Sequence, residues 1–325
     1  MKSVVTVVIP LFNKRAWIDR AIDSVLRQTW RDIELIVVDD GSEDGGADAV
    51  AARRDTRIRV IRQANQGPGA ARNAGWRLGA GELVAFLDAD DYWEPAFIEW
   101  GVATLIGDRS LAACTSACRE IRTGGGIVDT RAEWPASGVR EGPVKITANS
   151  PMRELSAVLT YMSPVSTIAR RSILEKFDGF YSREHCSYGE DSFLWLKVLL
   201  NHRVYVSLRP LVVVDRTASA LSKLDTLATR SLEPLLTSAD EIRSFCPVPL
   251  QTLLSRLLAD RAFKRACTLA AVGQWRRAAD LRQTFMVPRS WLVRYGFVSL
   301  LLSNPFGART ANLLLRILRR VSATR

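Results

Sequence analysis

Residues 83–91 read LVAFLDADD, an apolar run that ends in a cluster of acidic side chains. A short, continuous apolar run is typical of a strand that is buried on both faces of a parallel sheet. Asp88, Asp90 and Asp91 follow it closely, and a bound cation usually relieves the repulsion between such carboxylates. Mg²⁺ and Mn²⁺ prefer hard oxygen ligands and commonly combine one or two carboxylates with substrate phosphates. A divalent metal site is one interpretation; a solvated turn or helix cap, above all for Asp91, is the other.

The residues before this cluster alternate apolar runs with helical periodicity. Strands are predicted at residues 4–9, 33–38, 58–61 and 83–87, and helices at 15–28, from about 43 to about 54, and at 68–79. This alternation predicts an α/β fold, with a mostly parallel sheet and helices on both faces. Ligands of such sheets bind beyond the carboxyl ends of the strands, and both acidic groups of this half, at 39–40 and 88–91, lie there.

The second half of the chain is less regular. Gly, Pro and Ser are frequent over residues 124–151, which predicts loops and hairpins near the opening of the site. From about residue 221 the pattern is helical, with Arg on the polar faces. We therefore expect an α/β domain over 1–220 and a helical, strongly basic C-terminal region over 221–325. Between these parts, the predicted elements are a strand at 165–169, a helix at 190–200 and two short strands at 204–208 and 211–214.

Composition places the chain among ordinary globular proteins. It has 325 residues, 47% of them hydrophobic and 24% charged, which excludes a disordered chain, a collagen and a coiled-coil rod. Because no apolar run reaches about 18 residues, no transmembrane helix is expected. Five scattered cysteines suit a reducing compartment, and favour small core positions over a metal site.

The net charge of +11 is unevenly distributed along the chain. Residues 1–215 carry a net charge of −1, whereas residues 216–325 carry +12. This asymmetry predicts an anionic partner for the last third: a membrane surface, nucleic acid or a phosphorylated substrate. Over 289–320, Arg residues interleave with Leu, Trp and Phe, as in helices that lie in a bilayer interface, without zinc spacing or an aromatic RNA signature. We expect an anionic membrane surface there and no nucleic acid; packed helices with solvated Arg are the plainer interpretation.

Three further groups each have a functional and a structural explanation. Asp39 and Asp40 end a predicted strand, where they either accept hydrogen bonds from a base or ribose or cap the next helix. Arg72 lies on a helix of small residues and either reaches a diphosphate or lies at the surface. Glu190 and Asp191 open an apolar helix, where they either interact with the helix dipole or include a general base.

In this order and spacing, the motifs resemble those of the inverting family 2 glycosyltransferases of the GT-A fold. The resemblance covers about residues 4–217. It implies an enzyme that moves one sugar from a nucleotide sugar to a hydroxyl of a saccharide or lipid-linked acceptor, in cell-surface polysaccharide or glycolipid synthesis. The motifs are 8–13 (VIPLFN), 38–42 (VDDGS), 65–75 (NQGPGAARNAG), 86–91 (FLDADD) and 189–191 (GED) with 194–196 (LWL).

The resemblance implies a nucleotide site formed by the first motifs. Asp39 is similar to the carboxylate that accepts the imide N–H of uracil, and Asp40 lies beside it. Pro10 and Phe12 belong to the loop that borders the base, and Arg72 resembles a contact to the nucleotide or diphosphate. A UDP-sugar is the expected donor and a dTDP-sugar the second choice, because guanine would present a different edge to Asp39.

The later motifs imply the reacting groups. Asp88 is similar to the first Asp of a D-x-D element, near the ribose and sugar, and Asp90 to the Asp that binds Mn²⁺ or Mg²⁺. Asp191 resembles the catalytic base, with Asp91 and Glu190 as supporting residues. A divalent ion would stabilise charge on the leaving diphosphate, while Asp191, already ionised at neutral pH, takes the acceptor proton in one inverting displacement.

Two departures from the family pattern and two alternative functions accompany this resemblance. The Gln-x-x-Arg-Trp motif of processive synthases is missing, which favours transfer of a single sugar. Many relatives carry Arg-x-His after the last strand, but residues 215–219 read DRTAS, which predicts a weaker metal site or a substitute ligand from the tail.

A sugar nucleotidyltransferase would need a Gly-rich phosphate loop near the first strand, and a non-catalytic relative would lack Asp90 or Asp191. We expect a cytoplasmic enzyme, peripheral on the inner face of the membrane, where nucleotide sugars are made.

Overall fold

The computed structural model describes residues 4–122, 124–130, 138–218, 232–271 and 273–285. Strands and helices alternate through the first part, close to the predicted bounds, because the strands are rich in aliphatic residues and the helices bury one face. The strands are β1 (Val5–Leu11), β2 (Ile33–Asp39), β3 (Ile58–Arg62) and β4 (Leu83–Phe86), and the helices are α1 (Arg15–Leu26), α2 (Gly46–Ala51) and α3 (Pro68–Leu78).

The later strands complete one mixed sheet. They are β5 (Tyr92–Trp93), β6 (Leu111–Ile121), β7 (Ile127–Asp129), β8 (Gly142–Val144), β9 (Thr167–Arg170) and β10 (Arg203–Asp215). The strand order is β3-β2-β1-β4-β9-β6-β10-β5, with β7 paired to β6 and β8 paired to β10. β1 to β4 run parallel to one another, β6 and β10 form a second parallel pair, and antiparallel β9 joins the two blocks.

Two predicted elements of the second half differ in the structure. The two short strands expected at 204–208 and 211–214 are one strand, β10, which stays paired with β6 through register shifts around Pro210. Proline has no N–H to donate, so an irregularity in the ladder accommodates it. The strand expected at 165–169 begins at Thr167, because residues Pro164–Ser166 form a 3₁₀ turn.

Helices cover both faces of the sheet, as predicted. Alternate residues of β1 face opposite sides: Val8 packs with α3, whereas Val7 and Ile9 pack with α1. The remaining helices of the α/β part are α4 (Phe97–Gly107), α5 (Met152–Tyr161), α6 (Arg171–Phe177) and α7 (Glu190–Asn201).

The predicted C-terminal helices are present and pack on α7. Leu235, Ile242 and Leu257 belong to the same buried cluster as Leu194 of α7. They lie in α8 (Pro234–Thr237), α9 (Ala239–Phe245), α10 (Gln251–Ala271) and α11 (Trp275–Thr284). In the described part of the chain, no helix is long and apolar enough to span a bilayer. The basic segment 289–320 lies outside the described residues, as does all of 219–231, where we expect the domain boundary.

Candidate active site

The loops after β1 and β2 are bound to each other. β1 and β2 are in register, with Leu11 beside Asp39. Asn13 has a positive φ of 50°; its amide N–H donates to Ser42 Oγ (3.1 Å), and its Oδ1 accepts from the Glu43 N–H (2.9 Å). Phe12 is 47% exposed at this edge. The edge therefore presents an exposed aromatic side chain one residue after the partner of Asp39 in the sheet.

The adjacent carboxylates at the end of β2, Asp39 and Asp40, have different partners. Asp39 accepts a hydrogen bond from the Ser42 N–H (3.0 Å). Asp40 accepts three: from Gln63 Nε2 (2.7 Å), from the Gln66 N–H (2.9 Å) and from the Gly67 N–H (2.9 Å). Asp40 thus fixes the conformation of the loop that leads into α3. The sequence pattern did not predict this structural role.

Small residues allow α3 to approach its neighbours closely. A Cβ on Gly69 would lie 2.3 Å from the Tyr181 carbonyl oxygen, and one on Gly75 would lie 2.3 Å from Val8 Cγ1. Gly67 has a φ of +90°, and a Cβ there would meet the Cys186 carbonyl oxygen at 2.8 Å. The helix start at 65–75 therefore packs closely, but the surface position considered for Arg72 is wrong, because this side chain is buried.

Arg72 is buried between two acidic motifs. Its Nη2 lies 2.7 Å from Asp88 Oδ1, and its Nη1 lies 2.8 Å from Glu190 Oε1. Burial alone would lower the pKa of the guanidinium, but the charges of Asp88 and Glu190 outweigh it and the pKa is raised. Arg72 stays positively charged and connects α3, the loop after β4 and the start of α7.

Asp191 lies in the first turn of α7, after Gly189 with its φ of 78°. Its Oδ1 accepts from the Ser192 N–H at 2.7 Å. Burial raises the pKa of Glu190 to about 7, with the charge of Asp191 acting in the same direction and Arg72 against it. Burial also raises the pKa of Asp191, with Arg72 opposing. The raised pKa differs from our expectation of an ordinary ionised Asp, and it brings this group closer to the pH at which a general base is most effective.

The C-terminal helices reach this helix start. A Cβ on Gly189 would lie 3.0 Å from the Cβ of Glu233, and Arg261 donates to Glu233 Oε2 at 2.5 Å. Farther along α7, buried Lys197 pairs with Glu241 at 2.8 Å. The described C-terminal helices therefore support the helix that carries Asp191.

Asp90 and Asp91 have separate partners. Asp90 Oδ2 lies 2.7 Å from Lys14 Nζ, and Lys14 Nζ also donates to the Ala218 carbonyl at 2.6 Å. Asp91 is buried and accepts from the Asp215 N–H at 2.8 Å, and burial raises its pKa well above the usual range. Asp91 thus joins the acidic turn to the end of β10.

Two basic residues at this turn were not predicted as site residues. Lys14 contacts Asp90, and Arg20 Nη2 donates both to the Asp90 carbonyl (2.6 Å) and to Asp215 Oδ2 (2.9 Å). The available signal was the basic pair Lys14-Arg15 directly after the 8–13 motif. The partners of Lys14 and Arg20 lie 70 or more residues away in sequence, so that signal could not identify these contacts.

Asp90 suits a divalent metal ion that takes its other oxygen ligands from the substrate. No cluster of three or more His, Cys, Asp or Glu suited to a metal ion occurs among the described residues. Asp90 nevertheless holds a cationic group, the Lys14 ammonium, at 2.7 Å. Mg²⁺ and Mn²⁺ commonly need only one or two protein carboxylates when phosphates supply the other oxygens.

Solved structures confirm the predicted GT-A fold. The chain superposes on residues 1–349 of TarS from S. aureus in complex with UDP-GlcNAc with a TM-score of 0.64, at 19% identity, over 96% of this chain and 91% of that one. The mannosyltransferase PcManGT from Pyrobaculum calidifontis, in complex with GDP-Man and Mn²⁺, gives a TM-score of 0.57 at 19% identity, over 96% and 88%. At this level of sequence identity, these similarities show the fold alone.

Curated relatives match parts of the chain. The putative glycosyltransferase EpsH of Bacillus subtilis is 31% identical over 192 residues, which are 58% of this chain and 54% of EpsH. The uncharacterized glycosyltransferase EpsJ of the same organism is 43% identical over 101 residues, 30% of this chain and 29% of EpsJ. The matches thus span about half or less of these relatives' lengths. The model of the family described as "Glycosyl transferase family 2" matches residues 6–177, which is more than half of the chain. The chain therefore belongs to glycosyl transferase family 2.

Proposed function

We propose that this glycosyltransferase moves one sugar from a nucleoside diphosphate sugar to an acceptor hydroxyl, with inversion at the anomeric carbon. The observation that carries the proposal is the contact of Arg72 with both Asp88 and Glu190. It brings the acidic turn after β4 to the helix start that holds Asp191. This contact supports the proposal because the carboxylates assigned to the sugar donor and the carboxylate assigned to the acceptor proton then lie at one edge of the sheet, where ligands of such folds bind.

In this proposal, the loops after β1 and β2 hold the nucleotide. The base lies against Phe12 and Pro10, and Asp39 accepts an imide N–H, which favours uracil first and thymine second. Asp40 acts indirectly, because the chain itself donates three hydrogen bonds to it. Calorimetric titration with UDP, dTDP and GDP tests this assignment, and tightest binding of GDP would overturn it.

Asp88 and Asp90 border the ribose, the sugar and the diphosphate. Asp90 is the residue that would hold Mn²⁺ or Mg²⁺, and such an ion would supply positive charge to the leaving diphosphate. Arg72 supplies a fixed positive charge beside Asp88. In this proposal, the negative charge that develops on the leaving diphosphate is stabilised by Arg72 and by the ion that Asp90 would hold.

Asp191 removes the proton of the acceptor hydroxyl as that oxygen bonds to the anomeric carbon. The bond from that carbon to the diphosphate oxygen breaks at the same time, on the opposite face of the sugar. The raised pKa of Asp191 suits a base that must accept a proton near neutral pH.

The experiment that tests this function is turnover of a panel of nucleotide sugars by Asp191→Asn. We expect kcat to fall by about 10²–10⁴, with UDP binding retained, because the amide cannot accept the proton. Asp240→Asn is the matched control, since Asp240 is exposed and pairs with Arg243 on the C-terminal helices. Near-normal turnover by Asp191→Asn would remove this residue from the mechanism.

The acceptor is a saccharide or a lipid-linked saccharide of the cell surface in this proposal. The basic segment 289–320 would hold the enzyme on the anionic cytoplasmic leaflet, where each Arg near the surface adds about 1 kcal/mol. Flotation of the full chain with anionic and with neutral liposomes, at low and high salt, tests this placement. If the chain stays soluble with anionic liposomes at low salt, a soluble acceptor replaces the lipid-linked one.

A further inference from the structure

Lys14 contacts the acidic turn after β4, but the proposed reaction assigns no role to its side chain. Its ammonium lies between two oxygens, the Asp90 carboxylate at 2.7 Å and the Ala218 carbonyl at 2.6 Å. Its Nζ also lies 5.1 Å from the centre of the Trp17 ring. The Asp90 carboxylate and the Ala218 carbonyl thus both point their oxygens at one positive charge, as the ligands of a bound cation do.

The other carboxylates of the turn are already engaged elsewhere. Asp88 pairs with Arg72, and Asp91 accepts from the backbone of Asp215. Asp90 is therefore the carboxylate whose charge is balanced by an amino group on a long, flexible stem. The Lys14 side chain is 21% exposed and the Asp90 side chain is 15% exposed, so solvent reaches this pair and the ammonium can leave.

We propose that Lys14 is the resident counter-cation of Asp90, and that a divalent ion must displace it to bind there. This inference rests on the proposed role of Asp90 as the metal-holding residue. A metal ion and the ammonium cannot both approach Asp90 Oδ2 at bonding distance, because two positive centres there would repel each other strongly. The side chain of Lys14 therefore weakens binding of a free divalent ion and releases the Ala218 carbonyl when the ion enters.

The test is a titration of the full chain with Mn²⁺ alone, without nucleotide, followed by the electron paramagnetic resonance signal of the free ion. Lys14→Met keeps the stem and removes the charge. We expect it to bind Mn²⁺ at least tenfold more tightly than the unmodified chain, a difference of about 1.4 kcal/mol. Lys14→Arg keeps the charge and should stay within about threefold of the unmodified chain, because the competitor remains.

Binding by Lys14→Met that is no tighter than that of the unmodified chain would overturn the inference. Lys14→Gln provides a second neutral side chain if Lys14→Met does not fold, and the same outcome is decisive for it. Equal tightening by Lys14→Arg would also contradict the inference, since the effect would then not depend on charge.

Asp90→Asn separates this inference from the proposed function. If Asp90→Asn loses Mn²⁺ binding and Lys14→Met does not improve it, only the role of Lys14 is wrong. If Asp90→Asn binds Mn²⁺ as the unmodified chain does, the metal lies elsewhere, and both the proposed role of Asp90 and the inference about Lys14 fail.

Discussion

Arg72 and Lys14 each bind one aspartate of the same acidic turn, yet their surroundings differ. Arg72 has a side chain that is 5% exposed, and it reaches both Asp88 and Glu190 with its planar guanidinium. Lys14 is 21% exposed and reaches Asp90 with a single ammonium. A buried, forked cation is costly to remove, because its partners lose their compensating charge, whereas a partly exposed ammonium can be exchanged for water or another cation. The two cations of this site therefore differ: Arg72 connects parts of the fold, whereas the charge of Lys14 is open to replacement.

The largest expected effect is on folding stability and comes from Arg72→Met. Glu190 would remain buried without its opposite charge, and we expect the free energy of unfolding to fall by about 3–5 kcal/mol. Urea denaturation followed by circular dichroism measures it. Arg77→Met is the control on the same helix, because the partner of Arg77, Asp178, is almost fully exposed.

Lys14→Met is the counterpart in the same measurement, without added metal. We expect a loss of about 0–1 kcal/mol, as for ion pairs that solvent reaches. A loss as large as that of Arg72→Met would show that both cations are structural, and the contrast between them would disappear.

The pH dependence of stability tests the contact between Arg72 and Glu190 in a second way. Burial raises the pKa of Glu190 to about 7 in the folded chain, against 4.5 as its ordinary value. Between these values the folded state holds a proton that the unfolded state has lost, so the free energy of unfolding falls as pH rises through this window. Glu190→Gln has no such proton and should flatten this part of the curve.

Urea denaturation at several pH values within and above that window measures the slope. Glu154→Gln, on α5, is the control, since Glu154 lies outside the acidic site. An unchanged slope in Glu190→Gln would mean that Arg72 keeps Glu190 ionised throughout, and that the connection between α3 and α7 is a full ion pair at all these pH values.

The first half of the fold could be predicted because its signals are local. The runs before Pro10 and before Asp39 are apolar except for Thr6 and Glu34, and β1 and β2 form there. The second half could not be predicted to the same degree. Strand β6 and helix α4 were not identified, and β10 was predicted as two strands around Pro210. Pairing with a distant strand maintains β10 through that proline, and such pairing leaves no local pattern.

The site shows the same division. The acidic motifs were identified because each combines a strand end with clustered carboxylates, which is a local pattern. Their counter-charges were not identified: Lys14 is 76 residues from Asp90, and Arg72 is 118 residues from Glu190. The sequence by itself determined the family motifs, the order of the first strands and the carboxylates at their ends. Only the tertiary structure decided which cation faces each carboxylate and how deeply each pair is buried. Both depend on how strands and helices that are distant in sequence pack together.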